Sequence, residues 1–449
     1  MILVRSIHSG SSSISAGGFA RAAESIRSIR AGLVVLAAML LLSVQLSDAA
    51  NPLGIWRGTV KVSSGEKVAF QLEVAALPGQ PATIVEGRTL VTGTLVNGDD
   101  RLASTDGVFD GQTLRLRYDF YDGVLTAKID GDRLEGAFVR QWEKQTLTRD
   151  VHATRRTNDV ALAGSKVDLT GDWILKVGEG EKQRLWRAAF KTDNGRATGT
   201  IIPVSGDWGN LDGTWTADQI LTLNRFDGIN ARILKVTLQD DGTLAGFVDL
   251  GLPDPQRKVV AERITDRNQA LVASLPNPNT HTRMSNATEP FKFSYPDLDG
   301  NIVAWNDARF KGKVVIVSIT GTWCPTCHEE APFLQDLYSR YQSQGLEIVA
   351  LAFEYTGDVI RDRKQVGIFA HRHGVKYPML LAGATDDAPK KLSQLVNFGA
   401  YPTAIFMGRD GLVKHIHAGF EGKATGERFS RLKADMEALV RDLVTGQEK

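Results

Sequence analysis

The fold of this chain is decided by the run Val314-Val315-Ile316-Val317-Ser318-Ile319 and by the segment Gly321-Thr322-Trp323-Cys324-Pro325-Thr326-Cys327 that follows it. The first run is almost continuously apolar, which predicts a strand in a sheet that is covered on both faces. The second segment leads into an amphipathic stretch that predicts a helix. A buried strand that gives way to a helix at two cysteines indicates an α/β domain.

Cys324 and Cys327 are the only cysteines among 449 residues. A bridge between them would close a very short loop and add little stability, so we interpret the pair as reactive. At the start of a helix, unpaired N–H groups and the helix dipole favour a thiolate on Cys324, and Pro325 suits an early helical position. We expect Cys324 to attack a disulfide and Cys327, one turn further in, to resolve the mixed disulfide. No cofactor is expected beyond this redox-active disulfide.

The composition is that of an ordinary globular protein, whereas the N-terminus is unusual. The formal net charge is +1, so charge gives no reason to expect a nucleic-acid partner. Four arginines within residues 1–30 precede an uncharged apolar run at 31–46 and the small residues Ala49 and Ala50. This pattern predicts a signal peptide over 1–49, or an uncleaved N-terminal anchor, and a periplasmic or other extracytoplasmic location. Membrane contact is expected only if this segment is uncleaved.

Two segments, 50–158 and 165–268, combine alternating apolar residues with Asp-Gly turn pairs, which predicts antiparallel β structure. The second segment repeats the first, since Gly54-Ile55-Trp56 recurs as Gly171-Asp172-Trp173. Each repeat is expected to form a small barrel or sandwich, although one closed structure built from both halves remains an alternative. The tryptophans of the repeats are interpreted as core residues rather than a stacking surface; they are Trp56, Trp142, Trp173, Trp186, Trp208 and Trp215.

The remaining chain divides into a connection and a third domain. Residues 269–288 are polar and include a stretch rich in Pro and Asn, which predicts a linker. From 289 to 449, predicted strands alternate with predicted helices, which indicates an α/β layer with a mixed sheet. The expected protein is therefore multidomain, with two all-β repeats followed by one α/β domain.

Residues 289–449 resemble the thioredoxin fold and, within it, the TlpA/ResA-like thiol–disulfide oxidoreductases. The motifs that carry the resemblance are Phe291-Lys292-Phe293 ahead of Asp297-Leu298-Asp299-Gly300, Lys311-Gly312-Lys313 before the buried strand, Thr322-Trp323-Cys324-Pro325-Thr326-Cys327, and Glu330-Ala331-Pro332. The resemblance covers about a third of the chain, and the two β repeats lie outside it.

The resemblance also implies roles for particular residues. Trp323 would shield the cysteine pair, and Glu330 would handle the proton of the second cysteine. Pro402 would be a cis-proline that faces the disulfide and forms a substrate groove. The residues implied to contact substrate are Trp323, Pro325, Thr326, Tyr401 and Thr403.

The chain departs from this family at Ser318-Ile319-Thr320, where the family usually has an asparagine followed by two aromatic residues. Ser318 stands where thioredoxin carries a buried aspartate that accepts a proton, and this substitution shifts that duty toward Glu330. Glu354, at the end of the next predicted strand, is a weaker candidate that we interpret mainly as a partner in a surface salt bridge.

The sequence thus predicts an exported thiol–disulfide oxidoreductase. The resemblance implies that it reduces disulfides in other exported proteins and receives electrons from a membrane donor. One alternative is a c-type haem protein, since Cys324, Cys327 and His328 also spell a haem-attachment motif. Another is an envelope-binding protein whose β repeats recruit a partner or ligand while the redox domain is auxiliary. The pairs His371/His373 and His415/His417 lack a third ligand nearby in sequence, so we predict no metal site.

Overall fold

The computed structural model describes residues 51–77, 84–85, 88–155, 164–252 and 256–447. The signal segment expected at 1–49 lies outside these residues. In the part of the chain that is described, no helix is long and apolar enough to cross a membrane. The described residues from 52 onward form one unit, in which two β domains precede an α/β domain.

The first β domain is built from antiparallel strands whose alternate side chains point inward, such as Leu114 and Leu116. Strand β2 pairs with both β1 and β4, and this double pairing closes the sheet on itself. The strands are β1 (Gly54–Lys61), β2 (Lys67–Ala76), β3 (Ile84–Val85), β4 (Arg88–Asn97), β5 (Asp100–Ala103), β6 (Asp106–Phe109), β7 (Thr113–Tyr118), β8 (Gly123–Asp130), β9 (Arg133–Trp142) and β10 (Gln145–Arg155).

The second β domain is a closed up-and-down barrel in which each strand pairs with the next and the last returns to the first. Large apolar side chains fill its interior, as small barrels require. The strands are β11 (Gly171–Val177), β12 (Arg184–Asp193), β13 (Arg196–Ile202), β14 (Leu211–Trp215), β15 (Ile220–Phe226), β16 (Ala231–Leu238), β17 (Leu244–Asp249) and β18 (Arg257–Arg263). The halves therefore form two separate sheets rather than one shared barrel.

The two β domains share a detail at their first strands. Trp56 and Trp173 are both fully buried, and each indole N–H donates to the carbonyl four residues earlier, over 2.8 and 3.0 Å. An arginine near the end of each domain, Arg155 or Arg263, covers the ring at 4.5 or 4.8 Å from its centroid. The tryptophan motif that marks the repeat in sequence therefore performs the same packing role in both domains.

The α/β domain contains a five-stranded mixed sheet in the order β24-β23-β22-β26-β27. Strand β22 lies at its centre, parallel to β23 and antiparallel to β26, and all of its residues are buried. The strands of this domain are β19 (Arg283–Met284), β20 (Ser294–Pro296), β21 (Ile302–Ala304), β22 (Val314–Thr320), β23 (Leu346–Glu354), β24 (Met379–Ala384), β25 (Leu395–Val396), β26 (Thr403–Met407) and β27 (Val413–Ala418).

Six α-helices are present in the described part of the chain. They are α1 (Gln269–Ala273), α2 (Pro278–His281), α3 (Pro325–Tyr341), α4 (Val359–His373), α5 (Ala388–Lys391) and α6 (Glu427–Thr445). Apolar residues of α3, α4 and α6 share one core on one face of the sheet. Phe291, Phe293, Val303 and Phe310 cover the other face together with Ala388 and Leu392 of the α5 region. Both faces of β22 are therefore covered by apolar side chains, as its sequence predicts.

The stretch predicted as a linker, 269–288, is packed onto the third domain. It contains α1 and α2, and its strand β19 pairs with β25. Asn279 of α2 forms hydrogen bonds with His417 and His415 of β27, over 2.7 and 3.1 Å. These contacts account for the second histidine pair noted in the sequence.

Candidate active site

The two cysteines lie where β22 gives way to α3. Cys324 is the N-cap of the helix, Pro325 takes the first helical position, and Cys327 lies in the first turn. Both cysteines are free thiols. The geometry follows from the local sequence, because the proline ends the extended backbone and its missing N–H costs nothing at this position.

The Cys324 sulfur is surrounded by hydrogen-bonding groups. It accepts from the backbone N–H of Cys327 at 3.3 Å, contacts the Thr326 hydroxyl at 3.3 Å and lies 3.4 Å from the Tyr401 carbonyl oxygen. Burial works to raise the pKa of Cys324, but hydrogen bonds from the Cys327 thiol, the Thr326 hydroxyl and the Cys327 N–H outweigh it and lower the pKa. The structure therefore favours a thiolate at Cys324.

Cys327 has the opposite character. Burial and its hydrogen bond to Cys324 raise its pKa well above the usual value, so it needs a base before it can react. Glu330, one turn further along α3, is 1 % exposed, and burial raises its pKa to about 7. The Ser318 hydroxyl donates to Glu330 Oε2 over 2.7 Å, whereas Oε1 has no hydrogen-bond partner among the described residues. Glu330 therefore combines a free oxygen with a pKa suited to proton transfer.

Glu354 is not the surface residue that the sequence suggested. It is 1 % exposed, and its carboxylate accepts from the N–H and the hydroxyl of Thr322 over 2.8 and 2.6 Å. Arg361 lies 3.5 Å away as an ion-pair partner. Burial raises the pKa of Glu354 to about 7. Its role is structural, because it fixes the loop before the cysteines with both oxygens engaged.

The aromatic and proline residues implied by the family resemblance surround Cys324. Trp323 donates its indole N–H to the Phe353 carbonyl over 2.9 Å and stacks on Tyr355 with ring centroids 4.7 Å apart. The Tyr401–Pro402 peptide bond is cis. Thr403 is fully buried and its hydroxyl donates to the Ala400 carbonyl.

His328 occupies the position that a haem-attachment motif would require. Its Nδ1 lies 2.8 Å from His373 Nε2, and its Nε2 lies 2.8 Å from the Thr322 carbonyl oxygen. Its ring packs against Tyr121 and Phe369, and burial lowers its pKa to about 3. Both nitrogens are engaged inside the protein, which argues against a haem ligand. No group of three or more His, Cys, Asp and Glu residues in the described ranges could hold a metal ion.

The capping loop, residues 203–209 of the second β domain, lies beside Cys324 and packs against the start of α3. Gly206 lies so close that a side chain there would meet the Phe420 carbonyl oxygen at 2.3 Å and the Thr326 methyl group at 3.0 Å. Asp207 accepts hydrogen bonds from the N–H groups of Gly209 and Gly422, which ties the loop to the α/β domain. Cys324, beside this loop, is only 4 % exposed.

A cleft of about 280 Å³ remains between the cysteines and the β domains. We call it the active-site cleft. From the α/β domain it is lined by Trp323, Cys324, Pro325, Thr326, Tyr355, Gly399 and Tyr401. Its opposite wall includes Arg140 and Trp142 of the first β domain and the capping loop, Ile229, Asn230, Arg232 and Leu252 of the second. Four of the five predicted substrate contacts thus line one space, and Thr403 does not.

Sequence reasoning missed the opposite wall of the cleft. Arg140 shares the inward register of β9 with Leu134 and Phe138, so a basic residue in an apolar alternation was the available signal. Trp208 belongs to the core of the second β domain, as predicted, but its ring also borders the cleft and packs against the Arg232 guanidinium at 4.6 Å.

Comparisons with known proteins concern the third domain. The family model described as Redoxin matches residues 284–435. The thiol-disulfide oxidoreductase ResA of Bacillus anthracis is 30% identical over 131 residues, which are 29% of this chain and 68% of that protein. ResA of Geobacillus kaustophilus is 32% identical over 136 residues, 30% of this chain and 71% of that protein. A thiol:disulfide interchange protein structure from Chlorobium tepidum aligns with 22% identity over 36% of this chain and 99% of that chain, at a TM-score of 0.28.

Proposed function

The chain belongs to the ResA family of thiol–disulfide oxidoreductases, and on this premise we propose that Cys324 and Cys327 carry out its dithiol–disulfide exchange. The Cys324 thiolate attacks a substrate disulfide, forms a mixed disulfide and releases one substrate thiolate. Cys327 then attacks the Cys324 sulfur, which releases the second thiolate and leaves a Cys324–Cys327 disulfide. Two electrons pass from the cysteine pair to the substrate.

The observation that carries this proposal is the opposite pKa direction of the two thiols beside one buried carboxylate. Cys324 has a lowered pKa and Cys327 a raised one, which suits a nucleophile and a resolving thiol that waits for a base. Oε1 of Glu330 is free of hydrogen bonds within the described chain. Glu330 takes the Cys327 proton in the resolving step, and Ser318 holds the carboxylate in place through its other oxygen.

The surrounding residues provide the binding surface. Trp323, Pro325, Thr326 and Tyr401 form the wall of the active-site cleft beside Cys324. Pro402 places the Tyr401 carbonyl against the reactive sulfur, 3.4 Å away. The Thr403 hydroxyl stabilises this loop by donating a hydrogen bond to the Ala400 carbonyl.

The proposed setting is extracytoplasmic. The support is the arginine-flanked apolar run at 31–46. In that setting the substrate is a disulfide in an exported protein, and a membrane donor returns the electrons. A protein substrate would have to reach Cys324 past the capping loop, so the exchange with proteins requires this loop to move away.

Two cysteine variants test the exchange. Cys324→Ser removes the nucleophile, and we expect turnover of a disulfide substrate to fall to background. Cys327→Ser keeps the nucleophile but cannot resolve, so it should accumulate a mixed disulfide that is visible by mass spectrometry under non-reducing conditions. A Cys327→Ser protein that still turns over at the wild-type rate would refute the assigned roles.

The direction of electron flow requires its own measurement. The equilibrium potential of the Cys324–Cys327 couple can be determined against glutathione. A potential near that of thioredoxin, about −270 mV, supports the proposed reductase. A potential near about −120 mV, typical of strong dithiol oxidants, would assign the reverse direction.

A further inference from the structure

Two arginines from different domains converge on the active-site cleft opposite Cys324. Arg140 comes from β9 of the first β domain and Arg232 from β16 of the second. The cleft is therefore complete only when all three domains are assembled, and its outer wall is basic while its inner wall carries the reactive sulfur.

Neither arginine forms an ion pair among the described residues, although the charge of Asp227 acts on both and that of Cys324 acts on Arg232. Arg140 is 2 % exposed, donates from Nη1 to the Gln141 carbonyl over 3.0 Å and interacts with the Tyr355 hydroxyl, while its Nε has no partner among the described residues. The Arg232 guanidinium lies over Trp208, and in the described part of the chain it makes no ion pair or hydrogen bond. Burial lowers the pKa of both groups.

The nearby acids are already engaged. Asp227 is paired with Arg225 over 2.9 Å and also accepts from the N–H groups of Ile229 and Asn230. Asp207 lines the cleft, but its oxygens accept from the backbone at Gly209 and Gly422, and burial raises its pKa. Buried cations without a direct ion-pair partner are unfavourable, which favours an anionic ligand that contacts both guanidinium groups.

We propose that the active-site cleft binds a small disulfide that carries carboxylates, with its sulfur at Cys324 and its carboxylates at Arg140 and Arg232. The proposal rests on the exchange chemistry proposed above and names a substrate class for the same site. The cleft volume of about 280 Å³ lies just below the ~300–1,000 Å³ of typical small-molecule sites. A compact dicarboxylate disulfide fits this size, whereas a folded protein does not.

The reaction balances without a further reactant. The Cys324 thiolate forms a bond to one sulfur of the ligand, and the ligand's S–S bond breaks to release one carboxylate-bearing thiol. Cys327 then bonds to Cys324 and releases the second thiol. The reduced pair, a Cys324 thiolate and a Cys327 thiol, loses two electrons and one proton; the ligand gains both electrons, that proton and one more from solvent.

The test compares two disulfides of similar length on the reduced full-length protein in single-turnover experiments. One is 3,3′-dithiodipropionate, with two carboxylates, and the other is bis(2-hydroxyethyl) disulfide, which is neutral. Each rate is divided by the rate of free dithiothreitol with the same disulfide, which removes intrinsic differences in reactivity. We expect this normalised rate to be at least about tenfold higher for the dicarboxylate, because charge-assisted hydrogen bonds from arginine are strong.

Arginine variants then test which side chains produce the preference for the dicarboxylate. Arg140→Gln and Arg232→Gln should each reduce the preference for the dicarboxylate severalfold, and the double variant should abolish it. Arg133→Gln changes an exposed arginine on the same strand as Arg140, and it should keep the preference. Because a buried substitution can impair folding, the comparison of ligands on the unmodified protein decides the proposal independently.

The possible results distinguish a failure of the anionic-ligand proposal from a failure of the proposed exchange chemistry. Equal normalised rates for the charged and neutral disulfides on the unmodified protein would overturn the anionic-ligand proposal and leave the exchange chemistry intact. No oxidation of the cysteine pair by either disulfide would instead refute the exchange through Cys324 and Cys327.

Discussion

The two sides of Cys324 are built in different ways. The inner side belongs to the α/β domain and consists of residues close in sequence, namely Cys327, Glu330 and the end of β22 with Ser318. The outer side is assembled from the capping loop and from two β domains distant in sequence. Among the described residues, the inner side contains a buried carboxylate with one oxygen that has no hydrogen-bond partner, and the outer side contains two arginines that form no ion pair.

The residues proposed to react and the residues that limit access to Cys324 therefore come from different parts of the sequence. The proposed proton transfer within the cysteine pair involves only residues of β22 and of the first turns of α3. Access to Cys324 depends on contacts between domains, such as the bond from the Gly422 N–H to Asp207. A change on the inner side should therefore alter reaction steps, and a change on the outer side should alter which molecules reach the sulfur.

The largest effect is expected on the inner side. Glu330→Gln keeps the shape and the Ser318 contact but removes the base, so the resolving step should slow by about two to three orders of magnitude. Stopped-flow measurement of thiol release after mixed-disulfide formation follows this step. The wild-type rate should rise with pH through about 7, the pKa of Glu330, and level off above it.

The control for this variant is Asp336→Asn, which alters an exposed acid on the same helix. It should leave both the rate and the pH profile unchanged. An unchanged pH profile in Glu330→Gln would mean that another group takes the Cys327 proton.

The same carboxylate makes stability depend on pH. The pKa of Glu330 is about 7 in the folded protein and near 4.5 when unfolded, so between these values the folded state binds more protons. The free energy of unfolding should therefore fall as pH rises from 4.5 to 7, by up to about 3 kcal/mol from this group. Denaturant titrations at pH 5 and pH 8 should show a smaller fall in Glu330→Gln than in the wild type; equal falls would contradict the assigned burial cost.

A smaller effect is expected on the outer side. Asp207→Ala removes the acceptor that ties the capping loop to Gly422, so alkylation of the reduced protein at Cys324 should become about tenfold faster, in line with one lost charge-assisted bond. Iodoacetamide labelling followed by mass spectrometry measures this rate. Asp218→Ala, an exposed acid in the turn between β14 and β15, is the matched control. Rapid alkylation of the unmodified protein would show that the loop does not restrict access.

The inner side was largely predictable because its determinants are local. The apolar run at 314–319, the cysteine spacing and Pro325 each act within a few residues, and they predict β22, α3 and the capped position of Cys324. The thioredoxin-like domain and the resemblance to ResA are confirmed by the comparisons. The predicted surface position of Glu354 was wrong, because the position of a residue along a strand does not reveal what covers the end of that strand.

The outer side could not be predicted, because it depends on how three domains pack. Alternation in the β repeats indicates which face of a strand is buried, but not that Arg140 and Arg232 meet beside a cysteine of another domain. The register of Arg140 among apolar inward residues was the one local sign. Its meaning becomes clear only when the cleft is assembled.

The smallest effect concerns the boundary between the two sides. Thr326 contacts Cys324 with its hydroxyl and the capping loop at Gly206 with its methyl group. Thr326→Val keeps the volume and the loop contact but removes a hydrogen bond that lowers the pKa of Cys324 against the effect of burial. The thiolate population at neutral pH should drop, and exchange with a small neutral disulfide should slow by about threefold at pH 7. At pH values above the Cys324 pKa the two proteins should converge, because both are then fully ionised; a threefold deficit that persists there would indicate that Thr326 shapes access rather than the thiolate.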